Sequence, residues 1–303
     1  MKRIVGIGAC VFDTLYRIPS YPAEDTKMRA AFSKNAGGGP VATGLVAAAK
    51  LGAEASYIGV LSADSGGEFL MRDFEKYGVD TSLIEVKEGY RSFASVLWLC
   101  EDSATRTCVF DKGDLPPLVL GDAQKKAIAE AALLMVDGNE LEAAVEAASI
   151  ARASKRPVLY DCGGLYAGVE RLLALTDIMI PSEEFALGHT GASSAEEAAE
   201  RLYDTYAPRV VVITQGKRGG ILYDGERLLS YPVYPATVLD SNGSGDVFHG
   251  AFAAGVTRGF DFEKCCHFAS AVSALKCMGV GARESVPDLD TVKRYMKENG
   301  YEL

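Results

Sequence analysis

The seventeen residues from Leu239 to Gly255, LDSNGSGDVFHGAFAAG, hold four glycines and two aspartates, Asp240 and Asp246. Glycine lets main-chain amides approach a ligand closely and a carboxylate can accept a proton, so the combination suits an anion held beside a hydroxyl. The pattern reads as a strand ending near Asp240, a turn through Asn242, Gly243, Ser244 and Gly245, and a helix from about Asp246. The free amides and dipole of that helix face the turn. There the turn amides can cradle a phosphate while Asp246 takes the proton of an attacking hydroxyl, which is what phosphoryl transfer requires. Helix capping by Asp246 is the plainer alternative. The spacing matches neither a Walker loop, which needs a lysine just after the last glycine, nor a GxGxxG turn after the first strand.

Two further segments carry candidate chemistry. In NAGGGPVATGLVAAAKLG, Gly37, Gly38 and Gly39 precede Pro40 and an Ala-rich helix. They form either a plain helix start or a backbone wall against a polyhydroxylated ligand. Asp13, read at the end of the first strand, falls where open α/β sheets bind ligands, and a carboxylate there can accept two sugar hydroxyls. In VVITQGKRGGILYDG a buried strand runs into a turn that is either a charged surface loop or a source of donors for nucleotide phosphates. Thr214, Gly216 and Lys217 are the candidates for the second role.

The elements that must position these residues follow from apolar periodicity. RIVGIGAC, ASYIGVLS, ALLMVDG, RPVLYDCG, DIMIPS and RVVVITQG are near-continuous apolar runs of strand length, as expected of strands covered on both faces. Amphipathic stretches such as TGLVAAAKLG, GDAQKKAIAEAA, ELEAAVEAASIARAS and AEEAAERLYDTYA lie between them. This predicts α/β architecture: a doubly wound, mostly parallel sheet with helices on both faces. Residues 14–36 and 90–112 break the pattern and read as antiparallel strands of a small β-lid, the second containing a hairpin that turns near Asp102 to Ala104. The end of the chain, from Gly243 onward, reads as helical. Residues 1–303 read as a single domain.

Composition narrows the partners. With 31 Lys plus Arg against 41 Asp plus Glu, the 303-residue chain has a formal charge of −10, which disfavours nucleic acid and anionic membranes. No segment approaches the roughly twenty apolar residues of a membrane helix, and a cytoplasmic location is expected. Seven cysteines without a CxxC pair read as reduced thiols, with Cys265, Cys266 and Cys277 in the core. Only three histidines are present, not spaced as a zinc site requires. His249 reads as packed, and Trp98 as lid or dimer packing.

Taken together, GGPVATGLVAAAKLG and LDSNGSGDVFHGAFAAG resemble the two signatures of the PfkB, or ribokinase-like, carbohydrate kinases, and the likeness spans nearly the whole chain. The resemblance implies a doubly wound sheet with a β-lid that often pairs two chains, and ATP with magnesium as phosphoryl donor. It implies that Asp246 is the general base and that the amides of Asn242 to Gly245, with Gly243 and Ser244 between them, form the anion hole. It places Asp13, Gly38, Gly39, Thr43 and Asn139 at the sugar. Thr214, Gly216, Lys217, Asn242, Gly243, Gly245 and Ser270 fall at the nucleotide. HFASAVSALKCMGVGARESVP is similar to a segment that flanks adenine and, in some members, potassium, for which Asp240 and Ser285 are the matching residues.

Departures from the family pattern bear on the substrate. Thr43 stands where ribokinases have asparagine, and GGGPVAT is closer in style to kinases of ketohexoses such as fructose, including sulfofructose kinases. Asn139 replaces an arginine found in several of those, which argues against a sulfonated sugar. Ser182 and Phe185 replace the Asn and Glu of an NxxE motif linked to magnesium, leaving Glu184 as the candidate. The expected function is ATP-dependent phosphorylation of a small ketohexose by a homodimer. Alternatives are a nucleoside kinase, with Phe32 or Trp98 stacking on the base, and a non-catalytic sugar- or nucleotide-binding regulator.

Overall fold

The computed structural model describes residues 3–103 and 105–303. In chain order the strands are β1 (Arg3–Ile7), β2 (Val11–Ile18), β3 (Phe32–Gly38), β4 (Glu54–Ser62), β5 (Val79–Asp80), β6 (Ile84–Lys87), β7 (Ala94–Cys100), β8 (Thr105–Asp111), β9 (Leu133–Val136), β10 (Val158–Cys162), β11 (Ile178–Pro181), β12 (Val210–Thr214), β13 (Gly220–Tyr223) and β14 (Leu228–Tyr231). The helices are α1 (Pro40–Lys50), α2 (Ser65–Lys76), α3 (Asp122–Glu130), α4 (Leu141–Ala153), α5 (Glu170–Leu173), α6 (Glu183–Thr190), α7 (Ala195–Tyr206), α8 (Ser244–Thr257), α9 (Phe262–Cys277) and α10 (Leu289–Glu298).

The main sheet runs β14-β13-β12-β11-β10-β9-β1-β4-β5, with β6 also pairing β4. It is parallel from β12 to β5 and closes with β13 and β14 as an antiparallel edge. Side-chain alternation explains the unbroken apolar runs. In β12, Val210 and Val212 enter one core while Val211 and Ile213 enter the other. The first core is shared with α1, α2, α8 and α9, the second with α3, α4 and α7, so the sheet is covered on both faces as the sequence predicts.

α1 and α8, the helices of the two glycine-rich signatures, cross through glycines. A Cβ on Gly250 would stand 2.0 Å from the Gly44 carbonyl oxygen, and one on Gly44 would stand 2.4 Å from the Met135 methyl. Only hydrogen side chains permit this approach.

Three local expectations are corrected. The small sheet, ordered β3-β2-β7-β8, is not wholly antiparallel: β2 and β7 run parallel, since the chain crosses the main sheet before returning to them. Asp13 lies in β2 of this small sheet rather than at the end of β1. The chain leaves the main sheet at Gly8, where a Cβ would collide with the Asp137 carboxylate. No strand ends near Asp240, because β14 stops at Tyr231 and residues 232–243 form neither helix nor strand. Pro232 and Pro235 lack the amide that a ladder would need there. The β7–β8 turn falls where expected, with Ala104 outside the described residues.

Candidate active site

The small sheet presents one face to the C-terminal end of β1 and the start of α8. Period-2 alternation puts Asp13 of β2, Ser95 and Leu97 of β7, and Arg106, Cys108 and Phe110 of β8 on that face, where the paired strands set Ser95 opposite both Asp13 and Phe110. With Gly38, Gly39, Thr43, Asn242, Gly243 and Asp246 they line a cleft of about 210 Å³. Asp13 is 7 % exposed and accepts a hydrogen bond from Ser95 Oγ at 2.6 Å. Burial pushes its carboxyl up to about 6, against the lowering effects of Ser95 and Arg283.

The glycine wall is a steric requirement. A Cβ on Gly38 would lie 2.1 Å from Asp13 Oδ2, and Gly39 has a φ of 93° with the Ala9 carbonyl 2.2 Å from a would-be Cβ. Arg283 holds this wall from behind. It is fully enclosed, stacks over Phe74, pairs with Asp73 at 2.6 Å, donates to the Gly38 carbonyl at 2.7 Å and approaches Thr43 Oγ1 at 3.4 Å.

α8 begins at Ser244, two residues earlier than the sequence suggests, with Gly243 as N-cap at φ 74° and no side-chain capping bond. Asp246 therefore sits in the first turn without capping it, on the wall of the cleft shared with Asp13. Its carboxyl is raised, chiefly by burial, while His249, Arg106, Lys276 and Arg283 pull it down. His249 is buried behind it, packed as expected.

A second cleft of about 590 Å³ meets the first at the α8 start. Thr214, Gly216 and Lys217 line it from the β12 end, Ser244 and Gly245 from the α8 start, and Ser270 from α9. Ser270 Oγ is already bonded to the Pro232 carbonyl at 2.6 Å, so it shapes this wall more than it offers a donor. Arg106 lines both clefts and reaches Asn242 Oδ1 at 3.3 Å.

Some expected residues lie elsewhere. Asn139 lines neither cleft; its side-chain amide donates to Asp137, which also accepts the Ala9 and Val41 amides. Glu184 is exposed and lines neither cleft, and its neighbour Glu183 is bonded to Gln215 and Arg218. Glu184 therefore does not fit a magnesium ligand at this site. Trp98 points to the other face of β7, near Tyr21, and Phe32 lines a neighbouring depression with Arg17 and Leu99. Neither is placed to stack on a ligand in the smaller cleft. Cys265, Cys266 and Cys277 are buried thiols.

Ser95, Arg106 and Arg283 were not legible as site residues from the motifs. The first two could have been found from the alternation of ASVLWLC and TRTCVFD once Asp13 was placed on the neighbouring strand. Arg283 carries no local signal.

A doubly wound sheet with a four-stranded sheet over its C-terminal edge, and a carboxylate where two clefts meet, defines a phosphotransferase of the ribokinase-like type. The chain belongs to the pfkB family of carbohydrate kinases, whose model matches residues 1–289. It is 28 % identical over 295 residues to a 5-dehydro-2-deoxygluconokinase of Clostridium perfringens, covering 88 % of this chain and 85 % of that one. It is 27 % identical to a ribokinase of Lactococcus lactis subsp. lactis, covering 98 % of each. The Arabidopsis thaliana ribokinase solved with ribose and ATP shares the fold, with a TM-score of 0.87, 23 % identity, and 98 % of this chain and 99 % of that chain covered. Among the described residues no helix is long and apolar enough to cross a membrane.

Proposed function

We propose that this kinase transfers the γ-phosphoryl group of Mg-ATP to a primary hydroxyl of a small ketose, fructose or a related ketohexose. The observation that carries this reading is the shared cleft. Asp13, able to accept sugar hydroxyls, and Asp246, able to accept a proton, line one cavity that shares Arg106 with the larger cleft, Asn242 lying on the smaller side of the junction and Gly245 on the larger. With the sugar in the smaller cleft and the nucleotide in the larger, the acceptor oxygen meets the γ-phosphorus at the α8 start. The new oxygen–phosphorus bond forms as the bond to the β-phosphate bridging oxygen breaks. The hydroxyl proton passes to Asp246, and ADP departs. The amides of the 242–245 turn and the α8 dipole offset the charge on the transferring group. The small sheet acts as the lid that keeps water from the γ-phosphate.

Arg106 in the acceptor cleft favours a second reading, an acidic keto sugar, and the name of the C. perfringens relative supports it. The apolar outer face of the small sheet, where Tyr16, Val96 and Val109 are exposed, supports a homodimer formed through the lid. A coupled ADP-release screen across ketohexoses, aldoses, keto sugar acids and nucleosides tests the assignment. Selective turnover of a ketohexose is the expected result. Turnover confined to keto acids selects the second reading, and turnover confined to nucleosides, or ligand binding without ADP formation, rejects both.

A further inference from the structure

Lys276 has no exposed surface, yet it stands in the last turn of α9 directly behind the phosphate turn. An ammonium at such depth needs partners. Its Nζ donates to the Asp240 carbonyl at 2.7 Å, and the amides of Leu239 and Asp240 donate in return to the Cys277 carbonyl, so α9 and the turn are stapled together. The charged and titratable groups facing Lys276 are Asp240, Asp246, Cys277 and Arg106.

Asp240 and Ser285 are the residues that the family resemblance offers to a monovalent cation, and both are engaged within the protein. The Asn242 amide donates to Asp240 Oδ1 and the Gly281 amide to Oδ2, each at 2.8 Å, while the Ser285 hydroxyl donates to the Gly281 carbonyl. A cation site gathers oxygen lone pairs, but here amide protons occupy the carboxylate and an ammonium occupies the carbonyl. The residues present do not fit potassium.

We propose that the Lys276 ammonium is a built-in cation of the phosphate turn, holding residues 240–245 in place and adding positive potential behind their amides, so that this kinase works without a monovalent metal ion. The inference rests on reading that turn as the γ-phosphate site. A lysine is a compact point charge, and one fixed on α9 needs no separate ion-binding step.

The test compares wild type, Lys276→Met and Lys276→Arg in potassium, sodium and tetramethylammonium chloride at matched ionic strength, reading turnover and thermal melting. Wild type is expected to show the same turnover and melting temperature in all three salts. Lys276→Met, which keeps an apolar stem and loses the charge, is expected to lose about tenfold or more in kcat in tetramethylammonium and to melt lower. Potassium should restore part of both. Lys276→Arg keeps the charge and should remain indifferent to potassium, and it decides the matter with wild type if the methionine variant does not fold. Selective activation or thermal stabilisation of wild type by potassium overturns the proposal, as does full activity of Lys276→Met in tetramethylammonium. The melting arm needs no acceptor, so it reads the cation even where the sugar assignment fails.

Discussion

His249 Nδ1 lies 3.2 Å from Asp161 Oδ2, and the two side chains form a buried pair beneath the first turn of α8, 5 % and 4 % exposed. The imidazole also touches main chain on both sides: Nδ1 is 2.7 Å from the Gly245 carbonyl and Nε2 is 3.0 Å from the Ile180 carbonyl. Both ring nitrogens thus face main-chain carbonyl oxygens. Burial raises the Asp161 carboxyl and the neighbouring imidazole lowers it again.

Breaking this pair leaves an uncompensated buried group. His249→Leu is expected to cost about 3 kcal/mol of stability, and adding Asp161→Asn should recover part of the loss because the orphaned charge is removed. Urea denaturation of the two single variants and the double variant measures this. Simple additivity of the single losses would show that the residues do not act as a pair.

Asp246→Asn keeps the shape of the α8 start and removes the proposed proton acceptor. Its kcat should fall by at least about a hundredfold while ATP affinity holds. Steady-state kinetics with calorimetric ATP binding separate the two effects, and near-normal turnover would remove Asp246 from the mechanism.

Asp13 predicts opposite effects on stability and on sugar binding. Its folded-state pKa of about 6 lies above the ordinary value of a solvated aspartate, about 3.9, so the folded protein binds the proton more tightly. Stability from this group is therefore fully present below about pH 4 and is lost as pH rises through about 6. Asp13→Asn should accordingly melt higher than wild type at pH 7 to 8, while losing most sugar affinity. In wild type the sugar KM should fall as pH rises through about 6, as the carboxylate forms. A lower melting temperature for Asp13→Asn at pH 8 would contradict the assigned cause.

Gly38→Ala pushes a methyl into Asp13 Oδ2, so the sugar KM should rise at least about tenfold, with ATP binding little changed. An unchanged KM would mean that the wall does not meet the acceptor.

Val109 is 61 % exposed on the outer face of the small sheet. If two lids pair there, Val109→Glu should shift the molecule toward monomer in light scattering and raise the sugar KM. A wild-type monomer at micromolar concentration would dismiss the pairing.

The main sheet was legible because strands covered on both faces are nearly continuous apolar runs, and VVVI and LLMV satisfy that without any knowledge of their neighbours. The small sheet was legible as strands but not as a pairing. Joining β2 to β7 in parallel is a contact across some eighty residues, and only the whole fold specifies it. YPVYPATVLD misled for a different reason, since its apolar content imitates a strand while Pro232 and Pro235 forbid one. Asp246, Gly38 and Gly39 could be named because each lies in a short glycine-rich stretch next to a helix start, a pattern complete within a few positions. Arg283 meets Asp73 and Gly38 across 210 and 245 residues, so nothing near it in sequence announces the support it gives.

The bare crossing of Gly44 and Gly250 makes a single girder of the two signature helices. The proposed sugar wall and proton acceptor are mounted at the N-terminal ends of its two members, beside one cleft, so their spacing is set once, when the chain folds, and turnover need not re-establish it. Any side chain at the crossing would prise the mount apart and be felt as a longer jump for phosphorus, although it touches neither reactant.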